Sequence, residues 1–213
     1  MKTRIKKYNR LAALLAFIAL PLLIWTLGDV PRRSFLKEAI SLLTIISFFM
    51  MLLQFFLSRG NGRMLKEHRT GKVVKLHKIL GYVFVSILLL HPFLIVLPRF
   101  FEAGVDPGEA FSTMLSTWDS RGIILGLSAW GLMLALGLSS MFRNRLGMKY
   151  TTWRIFHGVL SIVFISLATW HATDLGRHTD LPMSVYMIAL AGLGAILLLR
   201  IYFIQLKNKL GHE

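Results

Sequence analysis

Four of the seven histidines lie inside long apolar stretches, where an ionisable side chain is costly and usually functional. His77 and His91 belong to LHKILGYVFVSILLLHP, and His157 and His171 belong to FHGVLSIVFISLATWH, so each pair is fourteen residues apart. At about 100° and 1.5 Å per residue, fourteen helical steps return to within roughly 40° of the same face after about 21 Å. Each helix is therefore predicted to present one histidine near each membrane surface.

The two histidine-bearing stretches are separated by two membrane crossings, so they run in the same direction. His77 and His157 are then expected at the inner level, and His91 and His171 at the outer level. Side chains alone hold zinc with three or four ligands, whereas iron in a porphyrin needs two axial ligands. Because the chain has no cysteine, iron–sulfur clusters and covalent haem attachment are excluded. The pattern predicts two non-covalent b-type haems, each bound by two histidines.

A second interpretation stays open, because any one of these histidines could equally be a hydrogen-bonded packing residue. The chain would then be a transporter or scaffold without haem, whose histidines relay protons or merely pack. The remaining histidines, His68, His178 and His212, fall in predicted loops or the tail, where solvated histidines are ordinary. We assign them no role from the sequence.

Further residues are placed to serve the predicted haems. Phe84 and Phe164 lie seven residues from each histidine of their stretch, within roughly 20° of the same stripe, and could fill the space between two macrocycles. Phenylalanine is also common core filler. Haem propionates need cations, and Arg154 is favoured because it lies one turn before His157. The other candidates are Arg69, Lys72 and Lys149 inside, and Arg99, Arg121 and Arg177 outside. Gly81 and Gly158 would let a ring plane approach the backbone.

The elements that position these residues are predicted to be transmembrane helices. Hydrophobic residues make up 55% of the 213 positions and the mean hydropathy is +0.61, which indicates an integral membrane protein. Stretches of about 20 residues, long enough to cross a bilayer, lie near 11–28, 36–57, 76–97, 121–141, 155–173 and 183–204. We therefore predict an all-α membrane protein, a six-transmembrane-helix bundle, in one domain over residues 1–213.

The charged residues predict the orientation. With a cytoplasmic N-terminus, the inner segments collect 19 of the 25 Lys and Arg residues and the outer segments 6, which favours cytoplasmic N- and C-termini. The net charge of +15 is spread over short gaps rather than one face, so nucleic acid is not an expected partner. The first stretch follows a basic start but lacks a small-x-small cleavage site, so we interpret it as a retained helix. The outer loop 98–120 is predicted to contain a short interfacial helix from Phe111 to Leu115.

Three sequence elements carry a family resemblance. They are HKILG with a second histidine fourteen residues after the first, the stretch from SRG through LSS to RNRLG, and W-x-x-x-H-G with its own partner histidine. The chain resembles the ferric reductase-like transmembrane domain family over roughly its second to sixth helices. That family includes ferric-chelate reductases, the membrane half of NADPH oxidases and the stand-alone haem subunit of the bacterial periplasmic methionine sulfoxide reductase system. The resemblance implies an inner haem on His77 and His157, an outer haem on His91 and His171, and cytoplasmic reduced flavin as donor.

Only about ten residues follow the sixth stretch, and no nucleotide-binding motif is present. We therefore expect an oxidoreductase subunit of the bacterial inner membrane that takes electrons from a separate partner. The donor would be a cytoplasmic flavin (FMN or FAD) or NAD(P)H-dependent reductase, and the acceptor a ferric chelate, dioxygen or a periplasmic redox protein. A quinol-linked cytochrome b that anchors another subunit to the membrane is the alternative within redox chemistry.

Overall fold

The structure, a computed structural model, describes residues 11–57, 70–116 and 120–210, and these ranges form helices joined by short connections. We number the helices in chain order: α1 (Leu11–Leu27), α2 (Phe35–Phe56), α3 (Thr70–Leu94), α4 (Leu97–Ala103), α5 (Pro107–Ser116), α6 (Arg121–Met141), α7 (Tyr150–Leu175) and α8 (Leu181–Leu210). Residues Leu15–Ala19 of α1 have π-helical hydrogen bonding, and a 3₁₀ turn, Arg143–Arg145, follows α6. The helical class predicted from the sequence is confirmed.

Five segments are long and apolar enough to cross a membrane: Phe35–Phe56, Gly71–Ala103, Arg121–Met141, Tyr150–Leu175 and Leu181–Ile204. The chain is therefore a multi-pass membrane protein. Over the described residues α1 is shorter, at 17 residues from Leu11 to Leu27. A sixth span and cytoplasmic termini remain predictions.

Proline and glycine explain where the structure departs from the expected boundaries. Pro92 lies inside α3, which ends two residues later, and Pro98 occupies the first turn of α4. Gly104 ends α4 with φ of 67°, a left-handed conformation that suits glycine. The segment predicted as a loop with one short helix at Phe111–Leu115 thus contains two helices, α4 and α5. Helix α7 begins at Tyr150, before the expected residue 155. It follows a turn in which Gly147 is left-handed.

The helices pack in a ring-like order in which α2 lies along α3, α6 lies along α7, and α8 contacts both α2 and α7. Helix α6 also contacts α3. In the described ranges the two histidine-bearing helices, α3 and α7, are not packed along each other. Helix α6 contacts both of them.

The core is formed mainly by side chains of α2, α6, α7 and α8, with Phe17 of α1 and Leu88 of α3 packed into it. Phe49 and Leu52 of α2, Ile165 of α7 and Met183 and Met187 of α8 are fully buried. Many large apolar side chains face outward on α3, α7 and α8, among them Leu90, Val163 and Ile196. Such exposure would be a liability in water, whereas in a bilayer these side chains contact lipid.

Candidate functional site

The outer histidines, His91 of α3 and His171 of α7, face each other across the bundle. Their ring centroids are 6.4 Å apart and their planes are inclined by 58°. His91 Nδ1 lies 2.6 Å from the carbonyl oxygen of Leu88, and His171 Nδ1 lies 2.8 Å from the carbonyl oxygen of Gly122. A carbonyl only accepts, so Nδ1 carries the hydrogen and donates it in both rings. This tautomer leaves Nε2 of each ring with a free lone pair.

Two glycines of α6 form the seat for the His171 ring. Gly122 supplies the accepting carbonyl, and a Cβ at Gly126 would lie 2.6 Å from His171 Cε1 and 2.7 Å from its Nδ1. Such distances are far inside van der Waals contact, so only glycine at 126 lets the imidazole lie against α6. These two glycines are not among the residues predicted from the sequence. The signal there is their four-residue spacing, which puts them on one face of α6.

The inner histidines are His77 of α3 and His157 of α7, and the Nδ1 atom of each lies beside a side chain of a neighbouring helix. His157 stacks on Trp153, with ring centroids 5.0 Å apart and planes inclined by 27°, and the Trp153 indole donates to the carbonyl of Ser139 at 3.3 Å. His157 Nδ1 lies 3.3 Å from the hydroxyl oxygen of Ser140. The end of α6 therefore orients this ring, as the beginning of α6 orients His171.

Gln54 of α2 is the neighbour of His77 that the sequence analysis did not identify. It is a buried amide, 8% exposed, within an otherwise apolar stretch of α2. One end of the amide lies 2.6 Å from His77 Nδ1 and 3.1 Å from the His77 carbonyl, and the other end lies 3.2 Å from Gly81 N. An isolated polar side chain among Phe48, Met51 and Phe55 was the signal available in the sequence.

Both phenylalanines predicted between the two levels belong to the hydrophobic core. Phe164 is 4% exposed, and Phe84 is partly buried and packs against the same core cluster. They fill space between the helices at mid-depth. A role as a spacer between two macrocycles remains a prediction.

The cations predicted near the site have different environments. Arg154 is half-buried, and its carbonyl accepts a hydrogen bond from the Tyr202 hydroxyl at 3.0 Å. Arg121 pairs with Asp174 at 3.1 Å, and Arg177 donates to the carbonyl of Pro31 at 3.0 Å. Arg121 thus joins the start of α6 to the end of α7, and Arg177 joins the α7–α8 connection to the α1–α2 connection. Lys72, Arg99 and Lys149 are exposed, and Arg69 lies outside the described residues.

The two glycines expected to admit a ring plane differ from each other. A Cβ at Gly81 would meet nothing within 4 Å, so the space beside it is open as expected. The expectation for Gly158 is wrong, because its Cα faces the Tyr202 side chain, which a Cβ would strike. Gly158 serves the contact between α7 and α8.

His178 also corrects an expectation, because it is not an ordinary solvated loop residue. His178 is 5% exposed, and its ring centroid lies 5.7 Å from that of Trp25. Its Nε2 lies 3.0 Å from Glu38 Oε2, but the two atoms are not aligned for a hydrogen bond. Burial lowers the pKa of the His178 imidazole, the Glu38 carboxylate raises it, and the guanidinium groups of Arg33, Arg32 and Arg177 lower it. His178 joins the α7–α8 connection to α1 and α2. His68 and His212 lie outside the described residues.

The residues of the outer pair fit a haem iron. Two imidazoles that bind one metal on opposite sides at about 2.0–2.1 Å, with about 1.1 Å from nitrogen to ring centre, have centres about 6.3 Å apart. The centroids of His91 and His171 are 6.4 Å apart. Among the described residues no group of three or more His, Asp or Glu side chains could hold a metal ion. Paired imidazoles suit a metal whose other ligands come from a macrocycle.

Fold and site together define a multi-pass helical membrane protein in which His91 of α3 faces His171 of α7, and a second histidine of each helix lies beside side chains of neighbouring helices. Its sequence matches the family model described as "Ferric reductase like transmembrane component" over residues 43–168, which is more than half of the chain. The chain belongs to this ferric reductase-like transmembrane family, which indicates a role in membrane redox chemistry and electron transfer.

One relative is similar over most of its length. A protein of Archaeoglobus fulgidus described as "Uncharacterized protein" is 38% identical over 167 residues, covering 78% of this chain and 91% of the relative. No solved structure matches the chain.

Proposed function

We propose that this chain is the haem-containing electron-transfer subunit of a bacterial inner-membrane oxidoreductase. His77 and His157 bind the inner of two b-type haems, and His91 and His171 bind the outer one. The proposal is carried by the outer pair, whose ring centroids are 6.4 Å apart with both Nδ1 atoms held by backbone carbonyls. Membership of the ferric reductase-like family supports the same chemistry.

When bound, the two haems would supply one-electron chemistry at two depths, so that the two electrons of a reduced flavin or NAD(P)H-dependent cytoplasmic partner cross singly to an extracytoplasmic acceptor. Two equivalents of a ferric chelate, or one two-electron periplasmic redox protein, balance the two electrons. Dioxygen is a third candidate acceptor.

The chain's own residues bind, orient and shield. The carbonyls of Leu88 and Gly122 fix the tautomer of the outer imidazoles, so their Nε2 atoms are ready to ligate without reorganisation. Phe84 and Phe164 keep water out of the space between the two levels. Arg154, at the inner end of α7, is placed to pair with a propionate.

Electron transfer across a closed membrane tests the proposal. Purified chain, produced with haem available, is reconstituted into vesicles that contain ferricyanide, with a potassium ionophore to compensate charge, and dithionite is added outside. We expect the trapped ferricyanide to be reduced faster than in vesicles containing the His91→Ala variant, which lacks one outer ligand. Equal rates for the wild-type chain, the variant and empty vesicles would overturn the proposal.

A further inference from the structure

The inner and outer histidine pairs differ in what their Nδ1 atoms contact. Both outer rings face main-chain carbonyls, those of Leu88 and Gly122. Both inner rings face side chains: the Gln54 amide lies 2.6 Å from His77 Nδ1, and the Ser140 hydroxyl oxygen lies 3.3 Å from His157 Nδ1. Among the described residues, the partners of the inner Nδ1 atoms are thus side chains, which a substitution can remove, whereas those of the outer Nδ1 atoms are main-chain groups.

Gln54 is costly to bury unless its amide has partners. It is 8% exposed on α2, in a helix whose neighbouring residues are almost all apolar. Leaving an amide without partners in such surroundings costs about 1–3 kcal/mol by mutational measures. Its contacts are the His77 ring, the His77 carbonyl and the Gly81 amide. The amide thus fits one short stretch of α3, beginning at the inner histidine.

The orientation of the amide depends on whether His77 Nε2 binds a metal. With the amide nitrogen toward the ring, it donates to Nδ1 and to the His77 carbonyl, and Oε1 accepts from Gly81 N. A histidine that binds iron through Nε2 carries its hydrogen on Nδ1, which must then donate. Turning the amide by half a rotation about its last bond, a soft two-fold torsion, presents Oε1 to that hydrogen from the same position. The turned amide gives up its hydrogen bonds to the His77 carbonyl and from Gly81 N in exchange for this one.

We propose that Gln54 and Ser140 are positioning residues for the inner haem, which orient its two axial imidazoles and lower its reduction potential. This inference rests on the proposed function and deepens it. An oxygen that accepts the Nδ1 hydrogen makes the imidazole more basic, and a more basic ligand favours the oxidised metal. Because Gln54 lies closer to its ring than Ser140 does, its effect is the larger of the two.

The test is a redox titration of both haems in three single variants. Gln54→Met keeps a straight side chain of similar length but removes the amide, and Ser140→Ala removes the hydroxyl. Ser47→Ala is the matched control, because Ser47 is also buried in α2 and its hydroxyl donates to the carbonyl of Leu43 on the same helix. Haem content is measured alongside, so that a variant that loses the inner haem is recognised.

For Gln54→Met we expect the reduction potential of the inner haem to rise. The equilibrium constant for its reduction should increase by threefold to tenfold, where tenfold corresponds to about 59 mV for one electron. Loss of the inner haem alone, with the outer one retained, equally supports the inference. Ser140→Ala should shift the inner potential upward by less, and Ser47→Ala should leave both potentials unchanged.

Two failures are distinguishable. A wild-type chain that binds no haem overturns the proposed function and this inference with it. Two haems in the wild-type chain, with inner potentials unchanged or lowered in both Gln54→Met and Ser140→Ala, overturn the inference and leave the proposed function standing. Should Gln54→Met fail to fold, the shift in Ser140→Ala decides the outcome.

Discussion

Single atoms determine which nitrogen of each histidine is available to a metal. At His171 the carbonyl of Gly122 holds Nδ1 and the missing Cβ of Gly126 makes room for the ring. At His91 the carbonyl of Leu88, on the same helix, does the holding. The partners of the outer histidines thus belong to the backbone more than to side chains. Substitution of a glycine should therefore disturb haem binding at the outer site as much as substitution of a histidine.

Replacing the outer ligand itself should remove one haem. In His171→Ala the iron loses one axial nitrogen at the outer level, whereas His77 and His157 are unaffected, so haem content should fall from two per chain to one. A pyridine haemochrome assay on purified protein measures this. His178→Gln is the control, since His178 lies beyond the end of α7 and contacts Glu38. Two haems in His171→Ala would show that the outer ligand is misassigned.

Adding a methyl group behind the ring should have a similar effect. In Gly126→Ala the new Cβ would lie 2.6 Å from His171 Cε1, so the imidazole must shift away from α6 and from its partner His91. We expect the outer haem to be lost or its absorption spectrum to change. Gly131→Ala, on the same helix, meets nothing within 4 Å and should behave as the wild-type chain. An unchanged outer haem in Gly126→Ala would contradict the described seat.

At the scale of helices, the contact between α7 and α8 depends on Gly158. Tyr202 of α8 lies over this glycine and donates to the carbonyl of Arg154. Gly158→Ala should therefore separate the two helices and destabilise the fold by about 1–3 kcal/mol, a typical cost of overpacking. Thermal unfolding in detergent measures the loss. Gly192→Ala in α8, where a Cβ would meet nothing within 4 Å, serves for comparison and should unfold near the wild-type temperature.

The connection between α7 and α8 should make stability depend on pH. The pKa of His178 is lowered, so the unfolded chain binds a proton more readily than the folded one. The neutral, buried ring contributes stability that is present above its ordinary pKa of 6.5 and is lost as the pH falls below it. Between about pH 7.5 and 5.5, the wild-type chain should lose more thermal stability than His178→Gln. Parallel losses in the two proteins would rule out this role for His178.

Helix existence could be predicted from the sequence, but helix ends and neighbours could not. The α6 boundaries agree with the stretch expected at 121–141, because Gly and Arg residues flank a sharp apolar run. The end of α3, and the helices α4 and α5, depend on where Pro92, Pro98 and Gly104 interrupt hydrogen bonding. Gln54, Gly126 and Ser140 could not be assigned to the site, because their roles arise from helix packing rather than from spacing along one helix.

For the whole molecule, the histidine spacing predicts that α3 and α7 present paired rings at two levels, and the rings of His91 and His171 lie 6.4 Å apart. Fourteen residues on a helix bring two rings to one face whatever the rest of the chain does. Orientation in the membrane is a different matter, since it follows from charges in the connections. The distribution of 19 inner and 6 outer Lys and Arg residues predicts it.

The absence of cysteine makes this orientation directly measurable. Asn144, in the connection between α6 and α7, and Asp106, before α5, are both exposed. In intact spheroplasts a membrane-impermeant maleimide should label Asp106→Cys, on the outer side, and Asn144→Cys only after the membrane is opened. The reverse pattern would invert the inner and outer assignments.

The central claim is that four histidines hold two haems in one chain. Haem stoichiometry of the purified wild-type protein, produced with haem available and measured after reduction by dithionite, tests it most directly. We predict two b-type haems per chain with low-spin, six-coordinate spectra. The claim would be contradicted by a protein whose circular dichroism shows folded helices but whose spectrum lacks a b-type α-band, or that binds less than one haem per chain.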